Sequence, residues 1–251
     1  MSSMMIGCIV FGCLFGGALV GMLIRLALPE HHFSAESKDT MKLGMGLIGT
    51  MGALVLGLMV SSAKSSYDAQ KNELTQMSAR VIMLDRVLAN YGPETKEARE
   101  ILKIGVMRVL EVMWPEGTSE TAQLDPKASR FEVLFEKIQQ LTPKTDSQRM
   151  LQSQAVSIGM DIAQRRLLLF EQSGSSISMP FLVVLTFWLS IIFVSFGLTS
   201  PRNATVLTTL LLCALAVSGA VYLILELDRP FDGLIRIPSE PLRKALAALG
   251  Q

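Results

Sequence analysis

Four stretches of this chain avoid charge for long enough to cross a bilayer, and nothing else in the sequence constrains the fold as strongly. They run from Met5 to Ile24, from Leu43 to Val60, from Pro180 to Leu198 and from Ala204 to Leu225. Crossing roughly 30 Å of hydrocarbon takes about 20 helical residues. Lipid offers no hydrogen-bond partner to an open strand, so each run must be a helix. The charge sits elsewhere: residues 61–179 hold 15 of the 23 Lys and Arg and 15 of the 22 Asp and Glu. Two materials are therefore joined in 251 residues, one of them charge-poor. That pattern excludes a disordered chain. A net charge of +1 also argues against a basic nucleic-acid binder. Three Cys cannot make a disulfide framework. Cys8, Cys13 and Cys213 all lie inside apolar runs and read as small packing residues.

The expected fold is an all-α membrane protein with four transmembrane helices. A helical-bundle cytoplasmic domain is inserted between helices 2 and 3. Residues 1–60 carry helices 1 and 2 with a short outer loop, 61–179 the helical domain, 180–225 helices 3 and 4, and 226–251 a cytoplasmic tail. The first run reads as a retained helix: no Lys or Arg precedes it and no A-x-A site follows it. Four spans place the N-terminus, the insert and the tail on one side. That side offers Lys64, Lys71, Arg165, Arg166, Arg229, Arg236, Arg243 and Lys244 near the membrane; the other offers Arg25, Lys38, Lys42 and Arg202. The positive-inside rule makes the richer side cytoplasmic, as for a multi-pass protein of the inner (plasma) membrane.

No ionisable residue interrupts a span, which argues against a voltage sensor, a proton relay or an ion-coupled transporter. The first two spans hold ten of the 19 Gly. Gly12 and Gly16, Gly17 and Gly21, and Gly49, Ala53, Gly57 and Ser61 repeat at four, a spacing that lets helix backbones approach closely. The first two spans are expected to pack on each other or on further copies of the chain. The Gly49, Ala53, Gly57 strip and the hydroxyls of Thr186 and Ser190 are candidates either for helix packing or for a pore lining.

In the insert, Tyr67, Leu74, Met77, Val81, Leu84, Leu88 and Tyr91 form a heptad-like seam. The second span is expected to continue as one helix to Tyr91. Gly92-Pro93 then ends one helix and opens the next. Further helices are expected to Met113, after Asp125-Pro126 and from Asp146 to Gln172. No stretch alternates as strands do.

The tail places Glu226, Asp228, Arg229, Phe231 and Asp232 together, either as a pore-mouth cluster or as a docking turn. Phe231, Leu234, Ile235 and Ile237 are expected to seat it on the helical domain. Asp85, Arg86, Tyr91, Gly92, Pro93, Glu94 and Arg99 form a hairpin motif whose charges brace the turn. Arg165 and Arg166 read as lipid-phosphate contacts. His31 and His32, with Glu30, Glu36 and Asp39, lack any metal-ligand spacing. No nucleophile motif or phosphate loop is present. No enzyme activity, metal or cofactor is expected.

Two stretches then stand out: Leu84-Asp85-Arg86-Val87-Leu88 with Tyr91-Gly92-Pro93-Glu94 and Ala98-Arg99, and Leu227-Asp228-Arg229-Pro230-Phe231-Asp232-Gly233-Leu234-Ile235. With four spans around a helical insert, the chain resembles the bestrophin-like domain family of bacteria and plants. The resemblance implies kinship with bestrophins, pentameric anion channels with four spans per subunit. Apart from a loosely similar Pro230-Phe231 after the last span, no bestrophin ion-site residue carries over. Two functions stay open: a homo-oligomeric ion channel, for anions as the resemblance implies, and a membrane-anchored helical module that binds a cytoplasmic partner without conducting.

Overall fold

A computed structural model describes residues 2–27, 35–114, 131–172, 177–201, 203–231 and 233–250. In chain order the helices are α1 (Ser3–Ala27), α2 (Ala35–Tyr91), a 3-10 turn (Pro93–Thr95), α3 (Lys96–Met113), α4 (Phe131–Gln139), α5 (Asp146–Gln172), α6 (Met179–Thr199), α7 (Ala204–Leu227) and α8 (Glu240–Ala248). No strand occurs among the described residues. The chain divides into two compact units. One is Met1–Ser65 with Ser175–Asp228, the other Ser66–Gly174 with Arg229–Gln251.

Helices α1, α2, α6 and α7 are each long and apolar enough to span a membrane. In the first unit α1 packs chiefly on α6 and α7. The reason is steric. A Cβ on Gly17 would lie 3.3 Å from the Ser190 carbonyl oxygen, and one on Gly21 would collide with the Val194 carbonyl. Across the contact, a Cβ on Gly197 would strike the carbonyl of Ala18. Without side chains at these three positions, the two backbones touch. The small-residue stripe of α1 thus finds its partner in α6 rather than in α2, a correction to the sequence reading. Period-four spacing identifies a face but not what covers it. Gly12 and Gly16 meet nothing within 4 Å.

The same contacts give directions. Gly17 faces Ser190 and Gly21 faces Val194, so α1 and α6 run parallel. The Arg25 guanidinium donates to the Ser200 carbonyl at their shared end. Gly7, near the start of α1, faces Ser218 and Tyr222, near the end of α7, so the two helices pack antiparallel. Gly49 faces Ile192 while Gly52 faces Leu189 and Leu185, so α2 is antiparallel to α6.

The second unit has its own apolar core, centred on Leu74, Leu84, Leu88, Ile138, Leu169 and Leu242. The helix α2 is a single element of 57 residues whose C-terminal part carries the expected seam. Leu74, Met77, Val81, Leu84, Leu88 and Tyr91 are all buried. The residues after Pro230 fold onto this core through Phe231, Ile237, Leu242, Ala245 and Leu249. Leu234, expected to dock, is 79% exposed. The Ile237 amide donates to the Pro230 carbonyl at 2.8 Å, closing a loop that turns Leu234 outward. The Asp125-Pro126 helix start lies outside the described residues. Helix α8 was not expected. Its signals were Pro241 in the first turn, and Leu242, Ala245 and Leu249 at helical spacing.

Gly21→Ala and Gly197→Ala should each lower the melting temperature in detergent, at about 1–3 kcal/mol of overpacking strain. Gly12→Ala, whose Cβ enters open space, should be neutral or slightly stabilising.

Candidate functional site

The hairpin motif converges on a buried ion pair. Helix α2 must stop at Tyr91 because Gly92 has φ +136°, ψ −179°, a conformation open to Gly alone. The turn then places Arg99 of α3 beside Asp85 of α2. Arg99 Nε and Nη2 donate to the two Asp85 carboxylate oxygens at 2.7 and 2.8 Å. Asp85 is 3% exposed. A third donor, the Gly250 amide, reaches Asp85 Oδ2 at 3.2 Å. Burial pushes the carboxyl upward. The Arg99 hydrogen bonds, the Gly250 amide and the guanidinium charge outweigh it, and the net pKa lies below the ordinary carboxylate value. Asp85 therefore braces the hairpin and ties down the chain end at once.

The turn is further held by groups that no motif suggested. The Thr95 hydroxyl lies 2.6 Å from the Leu88 carbonyl and 2.8 Å from that of Gly92. Gln148 Nε2 donates to the Tyr91 carbonyl at 3.1 Å. These partners satisfy carbonyls that the end of α2 leaves open. Arg86 is exposed and pairs with no carboxylate among the described residues. Glu94 reaches Lys144 at 3.9 Å across exposed surface. The Tyr91 hydroxyl is buried with no hydrogen-bond partner among the described residues. Burial first, and the Glu94 charge second, raise its pKa.

Trp114 locks the tail loop. Its Nε1 donates to the Ile237 carbonyl at 2.9 Å, and its ring meets Phe231 edge-on at 6.3 Å. Arg165 differs from the sequence reading: it bonds Glu73 at 2.8 Å and Asp161 at 3.2 Å. The Asp161 bond foremost raises its pKa. It is a strut between α5 and α2.

In the first unit, Glu226 and Asp228 are 6% and 3% exposed. The Tyr222 hydroxyl hydrogen-bonds Glu226. Both acids have partners, as does Arg229. Asp232, His31 and His32 lie outside the described residues. Thr186 donates to the Leu182 carbonyl at 2.8 Å and Ser190 to the Thr186 carbonyl at 2.7 Å, so both hydroxyls bond their own helix. On α2, Gly49 is half-buried while Ala53 and Gly57 are exposed. Only 11% of the most apolar part of α2 is buried, against 28–39% for the other three apolar helices.

Four alternating apolar helices joined to a compact helical domain define a class of membrane protein. A family model described as the bestrophin-like domain matches residues 12–242. The chain belongs to that family. A crystal structure of a bacterial bestrophin homologue from Klebsiella pneumoniae superposes with a TM-score of 0.62 at 16% identity, covering 95% of this chain and 99% of that one. The two share a fold. No curated protein matches this sequence.

Asp85→Asn should cost about 3 kcal/mol of stability, by leaving the Arg99 charge half-paired. The carboxylate's folded pKa lies below its ordinary value of 3.8, so its contribution is complete above that pH and is lost as pH falls through the folded value. Melting curves of the two proteins should differ by a constant amount from pH 8 to about pH 5 and converge in stronger acid. Tyr91→Phe should be neutral or raise the melting temperature, because it removes a buried hydroxyl that has no partner among the described residues.

Proposed function

We propose that the protein is a homo-oligomeric ion channel, selective for anions, whose pore is lined by α2. The observation that carries this reading is the bare face of α2. Leu43, Leu47, Leu54 and Leu58 are exposed, as are the small residues Ala53 and Gly57. Lipid could cover the leucines. The small positions gain little from lipid and suit either close approach of a neighbouring copy or a narrow water path. The absence of ionisable groups from the apolar runs fits conduction through backbone dipoles, not a coupled proton or charge movement. Because Thr186 and Ser190 bond their own helix and Gly49 faces Ile192 of α6, the lining role falls to Ala53 and Gly57. Membership of the bestrophin-like family supports the same reading.

The alternating directions of the four helices support N- and C-termini on one side. The basic residues after α7 and along the second unit assign that side to the cytoplasm by the positive-inside rule. The inserted helical domain then lies in the cytoplasm. Catalysis has no part in this reading.

Purified protein fused into a planar bilayer should give single-channel currents. Their reversal potential in a chloride gradient should follow the anion. Ala53→Trp should reduce unitary conductance while leaving the oligomer intact on size exclusion. An intact oligomer that passes no current across several salts and pH values would overturn the channel. The unbroken run of α2 from an apolar segment into a helical domain would then favour an anchored interaction module, which recovers a partner from solution without conducting.

A further inference from the structure

The second unit turns toward solvent one outer face whose exposed positions carry no charge. On α2 every exposed residue from Asn72 to Met83 is uncharged, and on α5 every exposed residue from Met150 to Leu168 is uncharged too. That stands against 15 basic and 15 acidic residues within 61–179. The charges inside these two stretches are already engaged. Arg80 pairs with Asp161 at 2.9 Å, Arg165 with the same Asp161 at 3.2 Å, and Arg165 with Glu73 at 2.8 Å. Arg166 is half-buried and has a partner. The Arg80–Asp161 and Glu73–Arg165 pairs set α2 and α5 antiparallel, and this ladder reaches the surface. The two uncharged rows border it. Gln76 and Met83 stand one turn either side of Arg80, and Ser157 and Gln164 one turn either side of Asp161. Three methionines lie on the joint face, Met83, Met150 and Met160, at 41%, 73% and 57% exposure. Such side chains adapt readily to a facing surface. Lipid does not reach them. Ala79 lies 19 residues beyond Val60 on the same helix, about 28 Å of rise, past the headgroup layer.

We infer that this face docks a second copy of the chain, so that copies meet along α2 and α5 outside the apolar runs. The inference rests on the homo-oligomer proposed above and not on conduction. Exposure along α2 favours that occupant. Exposed positions follow one another from Leu54 to Met83 with no gap of more than four residues, so copies gathered about α2 are brought together along the same row. Size favours it as well. The face measures roughly 20 Å by 25 Å, about 500 Å² per copy, short of the ~800 Å² per partner of a freestanding complex. Charge points the same way, because the face lacks the fixed charges that steer and select a foreign partner from solution. A small uncharged face suffices for a molecule already held close, and a copy anchored in the same oligomer is so held.

The test uses the full chain in maltoside detergent and in native membranes, with Cys8, Cys13 and Cys213 replaced by Ala. Met83→Cys and Ser157→Cys, made separately, should each be joined by a short bismaleimide into a product of twice the chain's mass. Each should link about tenfold or more faster than Glu100→Cys, an exposed position on α3 outside the face. Ala79→Glu combined with Ser157→Glu sets like charges on the face. It should raise the concentration at which half the oligomer dissociates by about tenfold or more. Both positions are exposed, so the melting temperature should hold. An oligomer on size exclusion in which neither cysteine links faster than Glu100→Cys overturns this inference and leaves the homo-oligomer standing. A monomer overturns both. A product in native membranes whose added mass is not that of a second chain overturns it in favour of a foreign partner.

Discussion

The first unit depends on the backbone contact between α1 and α6. Both helices spend glycines there, at Gly17 and Gly21 on one side and Gly197 on the other. In lipid no hydrophobic gain separates one apolar neighbour from another, so association follows from close packing. Helices that touch through their backbones gain dispersion contacts that bulky side chains would forbid. The α1–α6 pair, with α7 on α1, therefore forms the packed part of the unit. Helix α2 meets α6 through Gly49 and Gly52 but keeps most of its apolar surface uncovered. An apolar helix so left must meet lipid or further protein, and its small residues decide which of the two it can use best.

The second unit depends instead on a polar junction. Gly92 reverses the chain, and the reversal makes Asp85 and Arg99 neighbours. Alone, such a buried pair adds little over an apolar substitute, since desolvation offsets the attraction. Here it also sets register. The two-point Arg99 fork fixes α3 against α2, and the Gly250 amide fixes the end of the chain against both. One carboxylate thereby holds three parts of the unit in place, with Thr95 and Gln148 closing the carbonyls that the turn exposes.

Much of this was legible in the residues, and the gaps have a common cause. Apolar runs and the absence of Pro gave α2 its full course to Tyr91, because helix length depends on local sequence. Gly92-Pro93 marked the turn for the same reason. The partner of Gly21 was not legible, since periodicity names a face and no local rule names the helix opposite. Arg86 and Arg99 looked alike as motif charges. Only the turn's geometry puts Arg99 beside Asp85 and leaves Arg86 in solvent. The bonds of Thr95 to Leu88, Gln148 to Tyr91 and Trp114 to Ile237 join side chains to distant backbone, and backbone carries no sequence signature. Helix α8 is a different case, because its first-turn Pro and apolar spacing were present to be read.

The burial of Glu226 and Asp228 bears on the proposed channel more than their charge does. A carboxylate ring selects cations only when its oxygens face the ion path. In a single chain these two acids are sealed and partnered, and Tyr222 already occupies Glu226. Turning them toward a pore would cost those bonds and leave a space where each side chain now packs. With no acid in the apolar runs, and with Glu226 and Asp228 already partnered, the proposed α2 lining carries no fixed negative charge of its own. The tail acids, expected at either a pore mouth or a docking turn, are thus compatible with the proposed anion channel, because their oxygens are buried and partnered inside the subunit.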